Sequence, residues 1–337
     1  MKKIISVFLV LSVAFSLCSC DIYEEADMQY AVTCIGFDKK GNEIAATIEM
    51  LAIDHRSKDE QSGTIIVSGS GSSPYEAIEN INAKLSKKMY MGHCGVIVLG
   101  KTLTKKDNKK ILLYCNNNKN INSAIYIVTS ASAEELLNVP PNAEISVGYE
   151  IMGIISCEKQ ENGIIYNNRL YQVDYKRLGA TDIFTLPNFI VDENTCNIVG
   201  VTIYCDGEKT AELDKHEAFA YHLLTGNIRK GTNFLSDGTA VKTKKATRKM
   251  TTSYNDNLEL KIDLSLYYKS SKDPKEEWLL ACKNLYKKSK TEYKTDIFGF
   301  SDEIKNKDTK LWRKVRRNYN KKYQSSNLKI NFKVVKK

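Results

Sequence analysis

The chain has 337 residues, of which 42% are hydrophobic and 27% are charged, and its formal net charge is +10. This composition is typical of a globular protein and excludes a collagenous or largely disordered chain. Its nine cysteines include no Cys-x-x-Cys pair, and none of its four histidines pair at i, i+4. The sequence therefore gives no reason to expect a zinc site, another metal or a cofactor.

The first twenty residues have the pattern of a bacterial lipoprotein signal peptide. Two lysines precede a short apolar stretch, Ile4–Leu17, which is too short to span a membrane comfortably. It ends in Leu17-Cys18-Ser19-Cys20, the order of a lipobox. From this pattern we expect residues 1–19 to be cleaved and Cys20 to carry S-diacylglycerol and N-acyl groups. These groups would hold the protein at a membrane, because two or more acyl chains anchor a protein stably. An ordinary signal peptide and an uncleaved anchor are the alternatives.

Strands and helices are predicted to alternate through the N-terminal half. In chain order the elements are strands 30–38, 43–53 and 64–70, a helix from Ser73 to about Lys88, a strand 96–99, a helix 105–117, a strand 125–128, and helices 132–139, 145–156 and 168–178. Residues 38–42, Asp-Lys-Lys-Gly-Asn, indicate a hairpin turn. Ser73-Pro74 with Glu76 indicates a capping box with proline at the first helical position. The alternation favours a layered α/β or α+β domain.

A second unit is predicted to begin near Cys196, with Leu186-Pro187 in an extended linker. Its elements are strands 199–205 and 209–213 around Asp206-Gly207, a helix 215–225, strands 239–250 and 258–268, helices 274–290 and 309–323, and a strand 328–335. We predict an α+β protein with several domains of mixed α/β structure, mainly antiparallel sheets and packed helices. The expected boundaries are an N-terminal α/β domain of 20–190, with room for two subdomains, and a C-terminal α+β domain of 195–337.

Charge is distributed unevenly along the chain. Residues 241–337 hold 27 Lys and Arg against 11 Asp and Glu, whereas residues 21–240 hold 21 against 29. Because an exported protein does not meet nucleic acid in the cytoplasm, we expect no nucleic-acid partner. Anionic lipid headgroups are the better match for the basic C-terminal domain, since each lysine or arginine near such a surface contributes about 1 kcal/mol. A solvated face that keeps the protein soluble is the alternative.

The stretch Gly95–Thr102, GVIVLGKT, fits the spacing of a nucleotide-binding phosphate loop. Its four spacer residues are apolar and mostly β-branched, which favours an extended chain over the curled backbone that an anion requires. We therefore predict a buried strand closed by Gly100, and no nucleotide bound at Gly95–Thr102.

No constellation of side chains nominates a catalytic residue. There is no Gly-x-Ser-x-Gly elbow, and the six-residue spacing of His216 and His222 puts them on different faces of a helix. Seven cysteines follow Cys20, and four of them lie within apolar patterns and are interpreted as small buried hydrophobic residues: Cys34, Cys94, Cys115 and Cys282. A Cys196–Cys205 disulfide across a strand pair is the alternative for that pair. The prediction is a protein that is not an enzyme, with Cys20 as its one site residue.

Several separate segments together resemble the Ger(x)C family, the lipoprotein C subunits of bacterial spore germinant receptors. The segments are the lipobox at Cys20 and the following strand Ala31–Asp38, the run Lys88–His93 ahead of an apolar strand, Gly200–Tyr204 with the Asp206-Gly207 turn, and Asp296–Phe300 ahead of Leu311-Trp312. The run Tyr90-Met91-Gly92-His93 is the most specific of them. Near the mature N-terminus the family's usual Trp-Asp is replaced by Asp21-Ile22-Tyr23.

The resemblance implies a non-catalytic, lipid-anchored subunit on the outer face of the spore inner membrane. It implies as partners the A and B membrane subunits of a receptor that starts germination in response to nutrients. Binding of a nutrient elsewhere in the complex would shift its conformational equilibrium, and this subunit would stabilise one state. The alternative reading is a solute-binding lipoprotein of a membrane transporter, which would show two similar lobes around a ligand cleft.

Overall fold

The structure is a computed structural model that describes residues 29–52 and 63–336. The strands are β1 (Gln29–Lys40), β2 (Glu43–Ala52), β3 (Thr64–Gly71), β4 (Lys88–Tyr90), β5 (Val96–Gly100), β6 (Tyr126–Ser130), β7 (Ile183–Asp192), β8 (Thr195–Cys205), β9 (Glu208–Asp214), β10 (Gly231–Phe234), β11 (Ala240–Tyr254), β12 (Leu258–Lys269) and β13 (Asn327–Lys336). The α-helices are α1 (Pro74–Asn82), α2 (Lys105–Asn117), α3 (Ala133–Leu137), α4 (Val147–Cys157), α5 (Leu170–Arg177), α6 (Lys215–Thr225), α7 (Lys275–Thr291), α8 (Phe300–Lys307), α9 (Thr309–Val315) and α10 (Tyr319–Gln324).

Nine strands form a main sheet in the order β3-β2-β1-β5-β6-β7-β8-β9, with β4 added beside the start of β1. The central strands β1, β5, β6 and β7 run parallel. The outer pairs β1–β2, β2–β3, β7–β8 and β8–β9 are antiparallel. The predicted α+β class is confirmed, and the parallel centre is the part of the sheet that helices cover on both faces.

Strand β5 shows how the two faces are covered. Ile97 and Leu99 lie in a core shared with α1, α2 and α5, which pack on one face of the sheet. Val96 and Val98 lie in a second core, shared with α3 and α4 on the other face. All of β5 is buried, because successive side chains of a strand point to opposite faces and both faces carry helices.

A second sheet of four strands, in the order β10-β11-β12-β13, forms the C-terminal part of the protein. Its inner face carries the apolar residues of β12 and packs with α6 and α7 into a third core. Helix α6 begins directly after β9, where the carboxylate of Asp214 accepts the N–H of Glu217 at 2.9 Å. It ends at Gly226, whose φ of 78° is the left-handed geometry that favours glycine.

The main sheet continues through the predicted domain boundary. Strands β8 and β9 belong to it, so its last residue is Asp214 rather than a residue near position 190. Side chains of β8 and β9 nevertheless contribute to the third core beside α6. The domain boundary at 190–195 therefore stays a prediction from the sequence. By membership of the two sheets, the main sheet ends at Asp214, and the elements of the C-terminal part begin with α6.

Most predicted elements are confirmed, and α2 and α6 have the predicted bounds. The helix predicted to reach Lys88 instead ends at Asn82, because residues 88–90 pair with the start of β1 as β4. The predicted linker Leu186-Pro187 is wrong: both residues lie inside β7, where Pro187 opposes Val201 of β8. Residues 309–323 are two helices, α9 and α10, separated where Asn318 adopts a left-handed φ of 57°. The sequence pattern predicts neither β10 nor α8.

Candidate interaction surfaces

The Gly95–Thr102 motif folds as a strand and the turn that follows it. The residues of β5 pair with β1 on one side and with β6 on the other, so the motif's backbone is engaged in the sheet. Lys101 binds the carboxylate of Glu212 on β9 at 2.6 Å. The predicted buried strand is confirmed, and the backbone is extended where a phosphate loop curls around its anion.

Gly100 has a packing role that the sequence did not suggest. A Cβ at this position would overlap Oδ1 of Asp38, on the neighbouring strand β1. The Asp38 carboxylate accepts the backbone N–H groups of Ala133 at 3.0 Å and Glu134 at 2.8 Å, in the first turn of α3. A carboxylate at this end of a helix satisfies unpaired N–H groups and the helix dipole. Gly100 thus leaves room for the residue that joins α3 to the sheet.

Cys20, the predicted lipid-bearing residue, lies outside the described residues. The described chain begins at Gln29, the first residue of β1, which is an interior strand of the main sheet. None of the helices within residues 29–52 and 63–336 combines the length and apolar character needed to cross a membrane. The lipid modification of Cys20 stays a prediction.

The seven described cysteines are free thiols, and five of them are buried. Cys196 and Cys205 lie on the same strand, β8, nine residues and therefore about 30 Å apart, so the alternative of a disulfide between them is wrong. On α6, His216 is exposed and His222 is buried, which confirms that they lie on different faces. Within the described ranges, no three His, Cys, Asp or Glu side chains are grouped so that they could hold a metal ion.

Glu49 is a buried carboxylate in β2. In the sequence it is visible only as an acidic residue within an otherwise mostly apolar strand. Its side chain accepts the hydroxyl of Thr33 at 2.6 Å and the N–H groups of Val147 at 2.7 Å and Gly148 at 2.9 Å. These contacts place the carboxylate at the N-terminus of α4, where it connects β1 and β2 to that helix. Both carboxylate oxygens of Glu49 accept hydrogen bonds from the protein's own donors, so the role of this residue is structural.

Asp296 has a similar role in the C-terminal part. It is fully buried and accepts the N–H groups of Phe298 at 3.1 Å and Ser301 at 2.8 Å and the hydroxyl of Tyr319 at 2.9 Å. Burial raises the pKa of Asp296, and these donors partly oppose that rise by stabilising the charged form. The residue orders the turn before α8 and ties it to α10.

A groove of about 890 Å³ lies between α1 and α2. One wall is the α1 stripe Tyr75, Ile78, Glu79 and Asn82, and the other wall is the α2 stripe Lys110, Leu113, Tyr114 and Asn117. Each stripe follows the i, i+3, i+4, i+7 spacing of one helix face. Met89 and Met91 also line it, together with Asn118–Asn120 from the loop after α2. We call this the α1–α2 groove.

The α1–α2 groove exposes apolar surface beside polar groups. Tyr75 is 66% exposed and Leu113 is 58% exposed. Burial raises the pKa of Tyr114 to about 12, so its hydroxyl stays neutral, and it lies 3.2 Å from the side-chain amide of Asn118. The groove therefore combines apolar side chains with a charged rim, to which Lys88, Lys110 and Lys119 contribute positive charge and Glu79 contributes negative charge.

Two basic surfaces lie in the C-terminal part. The first, which we call the basic helical cluster, is residues 305–322 of α8, α9, α10 and their connections. It holds nine lysines and arginines and one acidic residue, Asp308. Asp308 is occupied, because its carboxylate accepts the N–H of Leu311 at 2.8 Å as the cap of α9. Among the described residues, the ion pair that involves this cluster is Lys307 with Glu303 at 2.6 Å.

The second basic surface is the outer face of the second sheet, which we call the lysine face. Its lysines alternate with buried residues along the strands, as a two-residue period requires: Lys245, Lys249, Lys261, Lys329 and Lys333. Acidic residues interrupt this face. Asp263 lies 3.6 Å from Lys261 and accepts the amide of Asn331 at 2.6 Å. The lysine face is thus less uniformly positive than the basic helical cluster.

Comparisons with known proteins agree with this architecture. A family model described as a spore germination protein N-terminal domain matches residues 23–190, and one described as spore germination B3/GerAC-like, C-terminal, matches residues 200–335. The crystal structure of the GerBC protein is similar in fold, with a TM-score of 0.57 at 16% sequence identity, covering 94% of this chain and 100% of that chain. No curated protein matches the chain. Because the two family models together span most of the sequence, the chain belongs to the Ger(x)C family of spore germination proteins.

Proposed function

We propose that this protein is the lipid-anchored, non-catalytic C subunit of a nutrient germinant receptor. It would stand on the outer face of the spore inner membrane and assemble there with the A and B membrane subunits. The observation that carries the proposal is the match of both family models, which together begin at residue 23, directly after a lipobox at Cys20. The fold shared with the GerBC protein supports it.

Three carboxylates engaged with the protein's own backbone, two of them buried, support a non-catalytic role. Asp38, Glu49 and Asp296 each accept backbone N–H groups at a helix N-terminus or a turn, so their oxygens hold the fold together. A general acid or base needs a lone pair or proton directed at a substrate in a cleft. The lone pairs of Asp38, Glu49 and Asp296 are directed instead at N–H groups of the protein's own backbone.

The arrangement of the two sheets counts against a solute-binding lipoprotein. Such a protein would have two similar lobes facing each other across a cleft. Here one sheet has nine strands with a parallel centre, and the other has four strands and a different order. The basic helical cluster and the lysine face support contact with an anionic membrane surface, since cations near such a surface gain from its negative potential.

Replacing Cys20 tests the anchor. In Cys20→Ala we expect loss of both the acyl groups and signal-peptide cleavage before residue 20, and failure of nutrient-triggered germination. Cys18→Ala is the matched control, because it removes a neighbouring cysteine and leaves the lipobox intact. The measurements are mass spectrometry of the N-terminal peptide, fractionation of spore membranes and the germination rate. A Cys20→Ala protein that is membrane-bound, with normal germination, would contradict the proposal.

A further inference from the structure

We propose that the α1–α2 groove receives an amphipathic helix with acidic flanks from an extramembranous part of one of the receptor's membrane subunits. This inference rests on the proposed function and adds to it the face of this subunit that meets its partner. The groove is a channel between two helices whose apolar residues lie on the facing stripes. An amphipathic helix docks into such a channel with apolar anchors spaced at i, i+3 or i+4, and i+7.

The dimensions of the groove fit about two turns of a helix. Its lining stripes, 75–82 on α1 and 110–117 on α2, each extend over seven residue steps and are therefore about 10 Å long. Tyr75 lies on one wall and Leu113 on the other, so both can contact apolar side chains of a helix in the groove. Met89 and Met91 also line the groove, and methionine's flexible side chain adapts to the shape of an incoming residue.

The charges of the rim select the polar side of the occupant. Lys110 and Lys119 line the groove, against the single acidic residue Glu79. Lys110 reaches across to the segment before α1, where its ammonium donates to the carbonyl of Ser72 at 3.1 Å, so its charge is held at the edge of the groove. An incoming helix with Asp or Glu beside its apolar stripe would meet this positive rim favourably, whereas a basic helix would be repelled.

Helix α7, in the C-terminal part, supplies a matched control. Leu280 on α7 is 58% exposed, the same fraction as Leu113 on α2. Lys283 is exposed three residues from Leu280, as Lys110 is three residues from Leu113. The double variant Lys110→Glu/Leu113→Glu and the double variant Leu280→Glu/Lys283→Glu therefore change the same residue types at equal spacing on two different helices.

The experiment is co-purification of the A and B subunits with the tagged full-length chain from spore membranes. We expect Lys110→Glu/Leu113→Glu to retain at least tenfold less of the membrane subunits than the wild type, and Leu280→Glu/Lys283→Glu to retain wild-type amounts. Thermal unfolding of both variants confirms that each is folded. Equal retention by the groove variant and the wild type would overturn the proposal. If the wild-type chain itself retains neither subunit, the proposed function fails instead.

A photo-crosslinking residue at position 113 identifies the occupant without disturbing the fold. We expect an adduct with an acidic, amphipathic segment of a membrane subunit, which peptide mass spectrometry locates. The same crosslinker at position 280 is the control and should give no such adduct. An adduct with a second copy of this chain or with lipid, or no adduct at position 113, would overturn the assignment of the groove.

Discussion

Gly100 and Asp38 show how a single residue is fixed by a contact distant in the sequence. Asp38 ends the buried part of β1, and its carboxylate caps α3, 95 residues further along the chain. The carboxylate occupies the space beside Gly100 on β5 where a Cβ would otherwise lie. The motif's second glycine is therefore explained by the packing of two strands and a helix.

We predict that Gly100→Ala destabilises the protein by about 1–3 kcal/mol, the usual cost of an extra group in a well-packed site. The new methyl group would displace Asp38, so the N–H groups of Ala133 and Glu134 in the first turn of α3 would lose their acceptor. Gly153→Ala is the control, because position 153 lies within α4 and a Cβ there meets nothing within 4 Å. That change should stabilise by about 0.5–1 kcal/mol, since alanine is the better helix former. Chemical denaturation measures both, and a stability for Gly100→Ala equal to that of the wild type would contradict the packing argument.

Sequence reasoning succeeds at the residue scale where one local property decides the outcome. The β-branched run Val96–Leu99 predicts a strand, and it is one. The partners of Asp38, Glu49 and Asp296 are not predictable in this way, because each accepts at least one hydrogen bond from an element that the fold, and not the local sequence, brings near. The nearest signal is an acidic residue at a position that is otherwise apolar.

Helix α6 is buried over about half of its residues, because it packs against both the main sheet and the second sheet. Six of its eleven residues are buried, among them His222. The ring of His222 packs against that of Tyr166 at 5.2 Å, and neither ring nitrogen has a hydrogen-bond partner among the described residues. Burial lowers the pKa of His222 to about 3, because the charged imidazolium would lose its hydration.

This burial predicts a pH-dependent stability. The unfolded chain binds a proton at His222 below about pH 6.5, while the folded protein holds the imidazole neutral down to about pH 3. The contribution to stability is therefore present above pH 6.5 and is lost as the pH falls, by about 1.4 kcal/mol per pH unit.

Between pH 7 and pH 5, His222 should account for about 2 kcal/mol of lost unfolding free energy. His222→Leu, an apolar residue of similar volume, should remove that part of the pH dependence, whereas His216→Gln on the exposed face of α6 should leave it unchanged. Urea unfolding at the two pH values measures the difference. Identical pH dependence in wild type and His222→Leu would show that the imidazole is hydrated in the folded protein.

Element boundaries that the sequence predicts wrongly are those decided by neighbouring strands or by single backbone angles. The predicted cap at Ser73 fixes the start of α1 and is confirmed, because Ser73 Oγ accepts the Glu76 N–H at 3.2 Å. The reciprocal bond of a capping box is absent, since the Glu76 carboxylate accepts the N–H of Ser72 at 2.8 Å and not that of Ser73. The end of α1 depends instead on the pairing of β4 with β1, which lies outside the local pattern. Continuous apolar spacing over 309–323 likewise hides the left-handed Asn318 that divides α9 from α10.

At the scale of the whole molecule, composition predicts the basic C-terminal part but cannot predict how its charge is arranged. The excess of lysine and arginine over 241–337 is visible in the sequence. Its division into the basic helical cluster and the lysine face depends on strand register, which places Asp263 among the lysines of the sheet. The helical cluster has one acidic residue, and that residue caps a helix. We therefore expect the helical cluster to contribute more binding energy to an anionic surface.

Vesicle binding tests this arrangement with the mature chain carrying Cys20→Ala, so that no acyl chain contributes. Neutralising Arg313, Arg316 and Arg317 with Gln should weaken binding to phosphatidylglycerol vesicles by about 100-fold, at about 1 kcal/mol per cation. The same change at Lys249, Lys329 and Lys333 of the lysine face should weaken it less, because Asp263 already offsets that surface. Binding should also fall between about 0.15 M and 0.5 M salt, as the Debye length shortens. Equal losses from the two triple variants would mean that total charge, and not its placement in the basic helical cluster, determines binding to the anionic surface.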